Sequence, residues 1–290
     1  PVLLNERSSL FSTQALVRQS KVRNVLLRRG KTAGSPQPQS LLERLEASTP
    51  SISRNIRSVG NVERFAGLLT EPATHSVVLV VGGRTLGKGI SLLLSHPSIE
   101  LVESDVAFGP RTALICDAHD IPFEDGCFDG VIVQGVLEHV VDPARCVTEM
   151  HRVLKVDGLV YAETAFMQQV HGGRYDFARF THLGQRLLFR AFEEIESGAL
   201  CGPGMALAWA YRYLLLSFTE SRTGRALLSA FANLTAFWLK HLDDYLVRKP
   251  GALDAASAYY FMGRKRDLAV PDQDLVELYR GAQLGCQHVP

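Results

Sequence analysis

The chain predicts an α/β fold, a doubly wound and mainly parallel sheet, on three observations. Short apolar runs alternate with helix-like stretches between residues 77 and 165. The first run, Val77–Val81, is continuously apolar instead of alternating, as a strand covered on both faces is. It ends in Gly82-Gly83, where a strand can turn sharply.

Each element follows from local chemistry. Residues 1–40 read as an N-terminal extension and linker. They mix apolar and basic residues, then run through Lys31–Gln39, a Gly/Pro/Ser/Gln stretch that favours a loop. Residues 41–270 form the main domain. Ser40 caps a short amphipathic helix beginning at Leu41, and Ile56, Val59, Val62, Phe65, Leu68 and Leu69 recur at helical spacing before the first strand. Strands are expected near 77–82, 99–104, 113–116, 129–134 and 158–164, with helices near 87–95 and 143–154. Two later strands fall near 192–197 and 258–263. Residues 271–290 form a polar tail.

Composition narrows the function classes. The apolar share is 46% and the formal charge +1, from 31 basic and 30 acidic residues, so no general polyanion partner is indicated. The basic residues between Arg18 and Lys31 read as a solvated face or tail, with a nucleic-acid or membrane contact as the alternative. The five cysteines form no CxxC pair, so no zinc site or other metal site is expected, and their odd count fits a reduced, cytoplasmic chain. Residues 1–30 lack the continuous apolar core of a signal peptide.

The turn Gly82-Gly83-Arg84-Thr85-Leu86-Gly87-Lys88-Gly89 departs from GxGxxG, because Arg84 occupies the middle position. That glycine lets a pyrophosphate approach the backbone in dinucleotide sites, so a nicotinamide dehydrogenase is disfavoured. Downstream stand Glu103 and Asp105, then Cys116-Asp117-Ala118-His119, Ile121-Pro122-Phe123, Phe128-Asp129, Leu137-Glu138-His139-Val140 and His151-Arg152-Val153-Leu154-Lys155-Val156-Asp157-Gly158.

In this order the segments resemble class I S-adenosylmethionine-dependent methyltransferases, in the branch that includes ubiquinone-biosynthesis-type enzymes. The resemblance runs from 77 to 165. It implies a Rossmann-like sheet of seven strands with an antiparallel last strand, ending near Gly263-Arg264-Lys265, and S-adenosyl-L-methionine as cofactor. Gly82, Gly83 and Gly87 correspond to the cofactor-cradling turn, and Arg84 stands where it can pair with a carboxylate. The ribose-binding acid corresponds to Asp105, with Glu103 as the alternate. Asp117 and Ala118 match the adenine-binding pair. Gln134 and His139 match the methionine side and wall of the site, and Asp129 a structural position. The chain departs from the family at Val80, where an acid is usual, and at Val156-Asp157, which replace Pro-Gly. Pro1–Leu4 also resembles the last strand of a zinc-ribbon module that precedes some of these enzymes, without that module's cysteines.

Ligands of parallel sheets bind outside the carboxyl ends of the strands. The loop after the fifth main strand, His171-Gly172-Gly173-Arg174-Tyr175-Asp176-Phe177-Ala178-Arg179-Phe180-Thr181, should therefore border the methyl group. It resembles a signature of uncharacterised methyltransferases. His171 is the candidate base, since histidine titrates near neutral pH. Tyr175 and Asp176 are candidates to orient a small-molecule or glycan-like acceptor, methylated at oxygen or nitrogen. An Asp176–Arg179 ion pair and a turn-capping His171 are the structural alternative. Nucleic acid is not expected as acceptor.

Before the last strand lies a helical insert, residues 204–247, with apolar runs at Met205–Phe218 and Ala226–Leu239. Each run is about 14 residues, short of the ~20 that cross a bilayer, so no transmembrane segment is expected. The insert reads as a buried hairpin or homodimer interface, a lid over an apolar substrate, or least readily a membrane-surface element. With Val80 and Arg84 it keeps a second reading open, that of a catalytically impaired scaffold or partner subunit.

Overall fold

The computed structural model describes residues 2–3, 48–70 and 75–283. One sheet organises them. In chain order its strands are β1 (Val2–Leu3), β2 (Ser76–Val81), β3 (Ile99–Asp105), β4 (Leu114–Cys116), β5 (Phe128–Gln134), β6 (Leu154–Ala165), β7 (Phe192–Cys201) and β8 (Ala258–Lys265). They lie in the order β1-β4-β3-β2-β5-β6-β8-β7. The pairings from β1 to β6 are parallel, and β8 runs antiparallel to both its neighbours. The doubly wound, mainly parallel sheet is thus as expected, with an eighth, two-residue strand at its edge. Val2 and Leu3 pair with Ile115 and Cys116, covering the backbone groups that a parallel edge strand otherwise leaves unpaired. The helix expected from Leu41 and the linker before it lie outside the described residues.

The continuous apolar strands are explained by the helices on both faces. On one face Leu79, Val81, Val131 and Val133 pack with Cys146, Met150 and Val153 of helix α3 (Pro143–Val153). On the other, Val78, Ile132 and Tyr161 meet Val62, Phe65 and Leu69 of α1 (Ser58–Thr70), and Ile90 and Leu93 of α2 (Ile90–Leu94).

Two local expectations are corrected. The helix expected over 87–95 is only α2, because Gly87-Lys88-Gly89 remain in the turn. Gly89 adopts φ 89°, and a Cβ on Gly87 would stand 2.0 Å from Gln134 Oε1. The fifth main strand, expected near 158–164, begins earlier at Leu154 and takes in Val156-Asp157, with Asp157 at φ 62°. This is the position the resemblance fills with glycine, and aspartate is among the few side chains that tolerate it.

After β6 come α4 (His182–Leu188) and β7, then three helices of the insert: α5 (Pro203–Leu216), α6 (Arg222–Ala236) and α7 (Leu239–Leu246). The chain turns at Phe237-Trp238, so the insert is not a simple hairpin. α7 folds back and its buried Asp243 accepts the N–H groups of Gly204 (2.7 Å) and Met205 (2.9 Å). A carboxylate there satisfies the unpaired first-turn donors of α5 and complements its dipole. Trp209 of α5 donates to Ser53 Oγ (2.9 Å), and Tyr213 donates to the Val170 carbonyl (3.1 Å), which ties the insert to the loop after β6. Short helices α8 (Ala252–Ala255) and α9 (Asp272–Leu275) flank β8. Among the described residues no helix is long and apolar enough to cross a membrane.

Candidate active site

Two cavities open at the carboxyl ends of the parallel strands and share Gly135 in their walls. The first, about 410 Å³, runs along the ends of β2, β3, β4 and β5 and is lined by Gly82, Arg84, Asp105, Asp117, Ala118 and Val136, among others. The second, about 490 Å³, lies beyond β6 under the insert and is lined by Lys88, Glu138, Glu163, His171 and Met205, among others.

The glycine turn is built differently from a helix-terminus anion site. The N–H groups of Gly82 and Gly83 both donate to the Ser104 carbonyl, at 2.9 and 2.8 Å, and Arg84 N donates to Asp105 Oδ2 at 3.2 Å. These donors are therefore spent inside the protein. What the glycines supply is room. Gly82 has φ 81°, and an added Cβ would lie 2.4 Å from Val136 Cγ2. Arg84 is exposed at the cavity edge.

Of the two candidate acids on β3, only Asp105 lines the cavity. Glu103 is bound by Arg111 at 2.7 Å and packs against Gly83. Asp105 is itself oriented by Arg84 N and by Ala107 N (2.9 Å). Asp117 is buried, and its Oδ1 accepts the N–H of His119 (3.0 Å) and pairs with His119 Nδ1 (2.5 Å). Asp142 N donates to His119 Nε2 at 3.1 Å, so the imidazole proton sits on Nδ1 and points at Asp117. The i, i+2 spacing of Asp117 and His119 was the available sequence signal for this orienting contact.

The Ile121-Pro122-Phe123 segment is held by Arg152 of α3, which donates to the carbonyls of Ile121 and Phe123, each at 2.8 Å, and to Glu149 and Asp125. The carboxyl of Glu149 is held below the usual carboxylate range, chiefly by Arg152. Asp129 accepts from Val77 N (2.9 Å) and Lys155 Nζ (2.8 Å), a structural role between β2 and β6.

Gln134, at the end of β5, donates to the Lys88 carbonyl (3.1 Å) and to Glu163 Oε1 (2.9 Å). Glu163 also accepts from Tyr161 OH (2.6 Å) and Ser58 Oγ, while burial pushes its carboxyl up. Glu138 is more isolated. It is 2% exposed and its Oε2 has no hydrogen-bond partner. Burial pushes its carboxyl up against the pull of His139, His171 and Arg179. Neither glutamate stood among the sequence candidates. Glu138 was visible only within the LEHV motif, and Glu163 only as a strand-end acid.

The loop after β6 brings His171 edge-on to His139, with ring centroids 4.9 Å apart. His171 Nε2 stands 3.9 Å from Glu138 Oε1, and Nδ1 lies 3.1 Å from the Gln169 carbonyl. His139 Nδ1 donates to the Tyr175 carbonyl at 2.8 Å. Tyr175 lines the first cavity, with the Arg174 guanidinium 5.0 Å above its ring. The Asp176 side chain is 2% exposed and pairs with both terminal nitrogens of Arg179. It also accepts the N–H groups of His171 (2.8 Å) and Gly172 (3.1 Å), and this surrounding holds its carboxyl well below the usual range.

The residues present fit an adenosine-bearing cofactor. A glycine at φ 81° leaves open the space a side chain would fill, and two acids line the same strand-end groove at successive strands. Comparison with known proteins agrees. Residues 87–162 match a family model described as "Methyltransferase domain". A ubiquinone/menaquinone biosynthesis C-methyltransferase of Geotalea uraniireducens (strain Rf4) is 41% identical over 94 residues, covering 29% of this chain and 39% of that protein. A demethylmenaquinone methyltransferase of Clavibacter sepedonicus is 30% identical over 99 residues, covering 34% and 39%. A putative sarcosine dimethylglycine methyltransferase from Galdieria sulphuraria superposes with TM-score 0.45 at 14% identity, over 76% of this chain and 93% of that one. Residues 87–162 thus match a methyltransferase domain, and this part of the chain is similar to S-adenosylmethionine-dependent methyltransferases. The chain spans about two fifths of the length of these two curated relatives. The family match ends before the loop after β6 and the insert, which contribute Gln168, His171 and Met205 to the wall of the second cavity.

Proposed function

We propose that this chain transfers a methyl group from S-adenosylmethionine to an oxygen or nitrogen of a small-molecule or glycan-like acceptor held in the second cavity. The observation that carries this reading is the pair of cavities meeting at Gly135, one lined by Asp105 and Asp117, the other by Glu138 and His171.

In this reading Asp105 takes the ribose hydroxyls. Asp117 and the Ala118 N–H take the adenine edge, with Val136 as its apolar wall. Gly82, Gly83 and Gly87 keep the backbone close to the ligand, and Arg84 meets its carboxylate. Gln134 and His139 wall the methionine side. When bound, the cofactor supplies a methyl group already activated on a sulfonium, so the protein's task is mainly alignment.

The acceptor side is built to hold a proton. A backbone carbonyl can only accept, so His171 Nδ1 carries its hydrogen toward Gln169 and leaves Nε2 with a lone pair. That nitrogen takes the acceptor's proton. Tyr175 fixes the His139 tautomer through its carbonyl, and Asp176, pinned by Arg179, sets the backbone of His171. Met205 brings the insert to the wall of this cavity, and the Trp209 ring stands edge-on to His171 with centroids 6.4 Å apart.

A second reading, a catalytically impaired scaffold or partner subunit, draws on exposed apolar residues of the insert such as Leu214, Phe218, Phe231 and Trp238. A homodimer through that surface belongs to it. Calorimetric titration with S-adenosylhomocysteine separates the two. Saturable 1:1 binding that is weakened in Asp105→Ala, followed by labelled methyl transfer to phenolic, amine or glycoside acceptors, supports the enzyme. Absence of binding in the wild type, with a stable oligomer, supports the scaffold. A cytoplasmic location is part of the enzyme reading.

A further inference from the structure

Glu138, His139 and His171 come from two separate segments, the 3-10 turn after β5 and the loop after β6. Their donor atoms all lie within 4.8 Å of one another. Three details go beyond proximity.

First, each imidazole is fixed in one tautomer by a backbone carbonyl. Tyr175 O accepts from His139 Nδ1 at 2.8 Å, and Gln169 O accepts from His171 Nδ1 at 3.1 Å. Both Nε2 atoms keep their lone pairs. This outer arrangement, Nδ1–H to a carbonyl with Nε2 free, is the one that orients histidine as a metal ligand. Second, Glu138 is a buried carboxylate with an oxygen that lacks any hydrogen-bond partner. An uncompensated buried carboxylate is costly, and a cation removes that cost. The nearby Arg179 attracts this carboxylate but makes no hydrogen bond to it, since its guanidinium is engaged by Asp176 and by the carbonyls of Gln168, Gln169 and Ala178. Third, the backbone that carries His171 is held by the two N–H contacts to Asp176, so the ligand set does not depend on a free loop.

We propose that Glu138, His139 and His171 form a site for one divalent transition-metal cation, open toward the second cavity, where an acceptor oxygen completes the coordination. Two imidazoles and one carboxylate select Zn²⁺, Co²⁺, Mn²⁺ or Fe²⁺ over Ca²⁺ or Mg²⁺. The inference rests on the reading of that cavity as the acceptor site. In the cation-loaded protein His171 is a ligand. The cation's charge lowers the bound hydroxyl's pKa, so that its proton passes to solvent water before methyl transfer instead of to the imidazole. Sequence inspection missed the site because it sought cysteine spacing, whereas 32 positions separate His139 from His171.

The test uses the full chain, stripped with a chelator and titrated with Co²⁺ and Zn²⁺, by calorimetry and by the visible absorption of Co²⁺. The expected result is one saturable cation per chain with a Co²⁺ absorption band. His171→Ala and Glu138→Gln should each weaken binding by more than the roughly 10- to 100-fold lost on removing an outer-shell partner. Both should alter the band while affinity for S-adenosylhomocysteine is retained. His171 is on an exposed loop, so this variant stays informative if Glu138→Gln fails to fold. Binding of S-adenosylhomocysteine without a saturable cation, or cation binding equal in wild type and both variants, overturns the metal site and leaves the methyltransferase reading standing. A cation that binds as predicted to a chain that ignores S-adenosylhomocysteine overturns the latter alone.

Discussion

Gly82 gives the sharpest test of how the cofactor cavity is built. Its φ of 81° is a conformation that costs an L-residue about 1–2 kcal/mol. A Cβ there would also stand 2.4 Å from Val136 Cγ2, a contact relieved only by moving the valine. Forcing such a contact in packed surroundings costs about 1–3 kcal/mol more. Gly82→Ala should therefore lose about 2–5 kcal/mol of stability. Read by calorimetry or circular dichroism, that is a drop of roughly 4–20 °C in melting temperature. Val136 lines the cavity, so its displacement should weaken S-adenosylhomocysteine binding roughly tenfold, about 1.4 kcal/mol. Gly67→Ala is the matched control. Gly67 lies in α1 with nothing within 4 Å of an added Cβ, so alanine should stabilise the helix by about 0.5–1 kcal/mol. The opposite signs are the point of the pair. If Gly82→Ala melts with the wild type and binds equally well, the turn does not depend on its glycine conformation and the construction of the cavity wall is refuted.

The other expectations can be checked with the same purified protein. Asp105→Ala should weaken S-adenosylhomocysteine by roughly 10- to 100-fold, the loss of charge-assisted hydrogen bonds worth about 1.5–3 kcal/mol, measured by titration calorimetry. An unchanged affinity would move the ribose elsewhere. Once an acceptor is found, His171→Ala should slow methyl transfer by about 10²-fold with little change in cofactor affinity; an unaffected turnover number would remove the histidine from the chemistry. Glu149 carries a pH signature. Its folded pKa lies below the ordinary 4.5, so its contribution to stability is present above that value and is lost as pH falls through the folded value. The melting-temperature gap between wild type and Glu149→Gln should be full at neutral pH and close in acid. A gap that widens on acidification would reverse the assignment.

The order of strands and helices was legible because a sheet covered on both faces demands unbroken apolar runs, and Val77–Val81 and Val131–Val133 supply them. The LPF and LEHV segments were legible for a related reason, since short turns between fixed elements leave few solutions. Arg152 shows the limit. Its place in a motif was visible, but not that it binds the Ile121 and Phe123 carbonyls 31 and 29 positions away. The same limit applies to the acids. Glu103 and Asp105 are equivalent as strand-end residues in sequence, yet period-two alternation carries no information on which neighbour is already paired. Arg111 removes Glu103 from consideration, and the turn's own N–H groups aim Asp105.

The sequence by itself determined the sheet, its glycine turn and the acids along the strand ends, because those depend on local pattern and backbone sterics. Only tertiary structure decided the second cavity. Glu138 becomes a buried carboxylate with one oxygen lacking a hydrogen-bond partner there, and His139 and His171 meet across two segments whose spacing encodes no contact. The insert likewise reads as apolar helix in sequence, and becomes a cavity wall through Met205 only when Asp243 folds α7 back onto α5. Burial and long-range hydrogen bonding, which no local pattern specifies, made those choices.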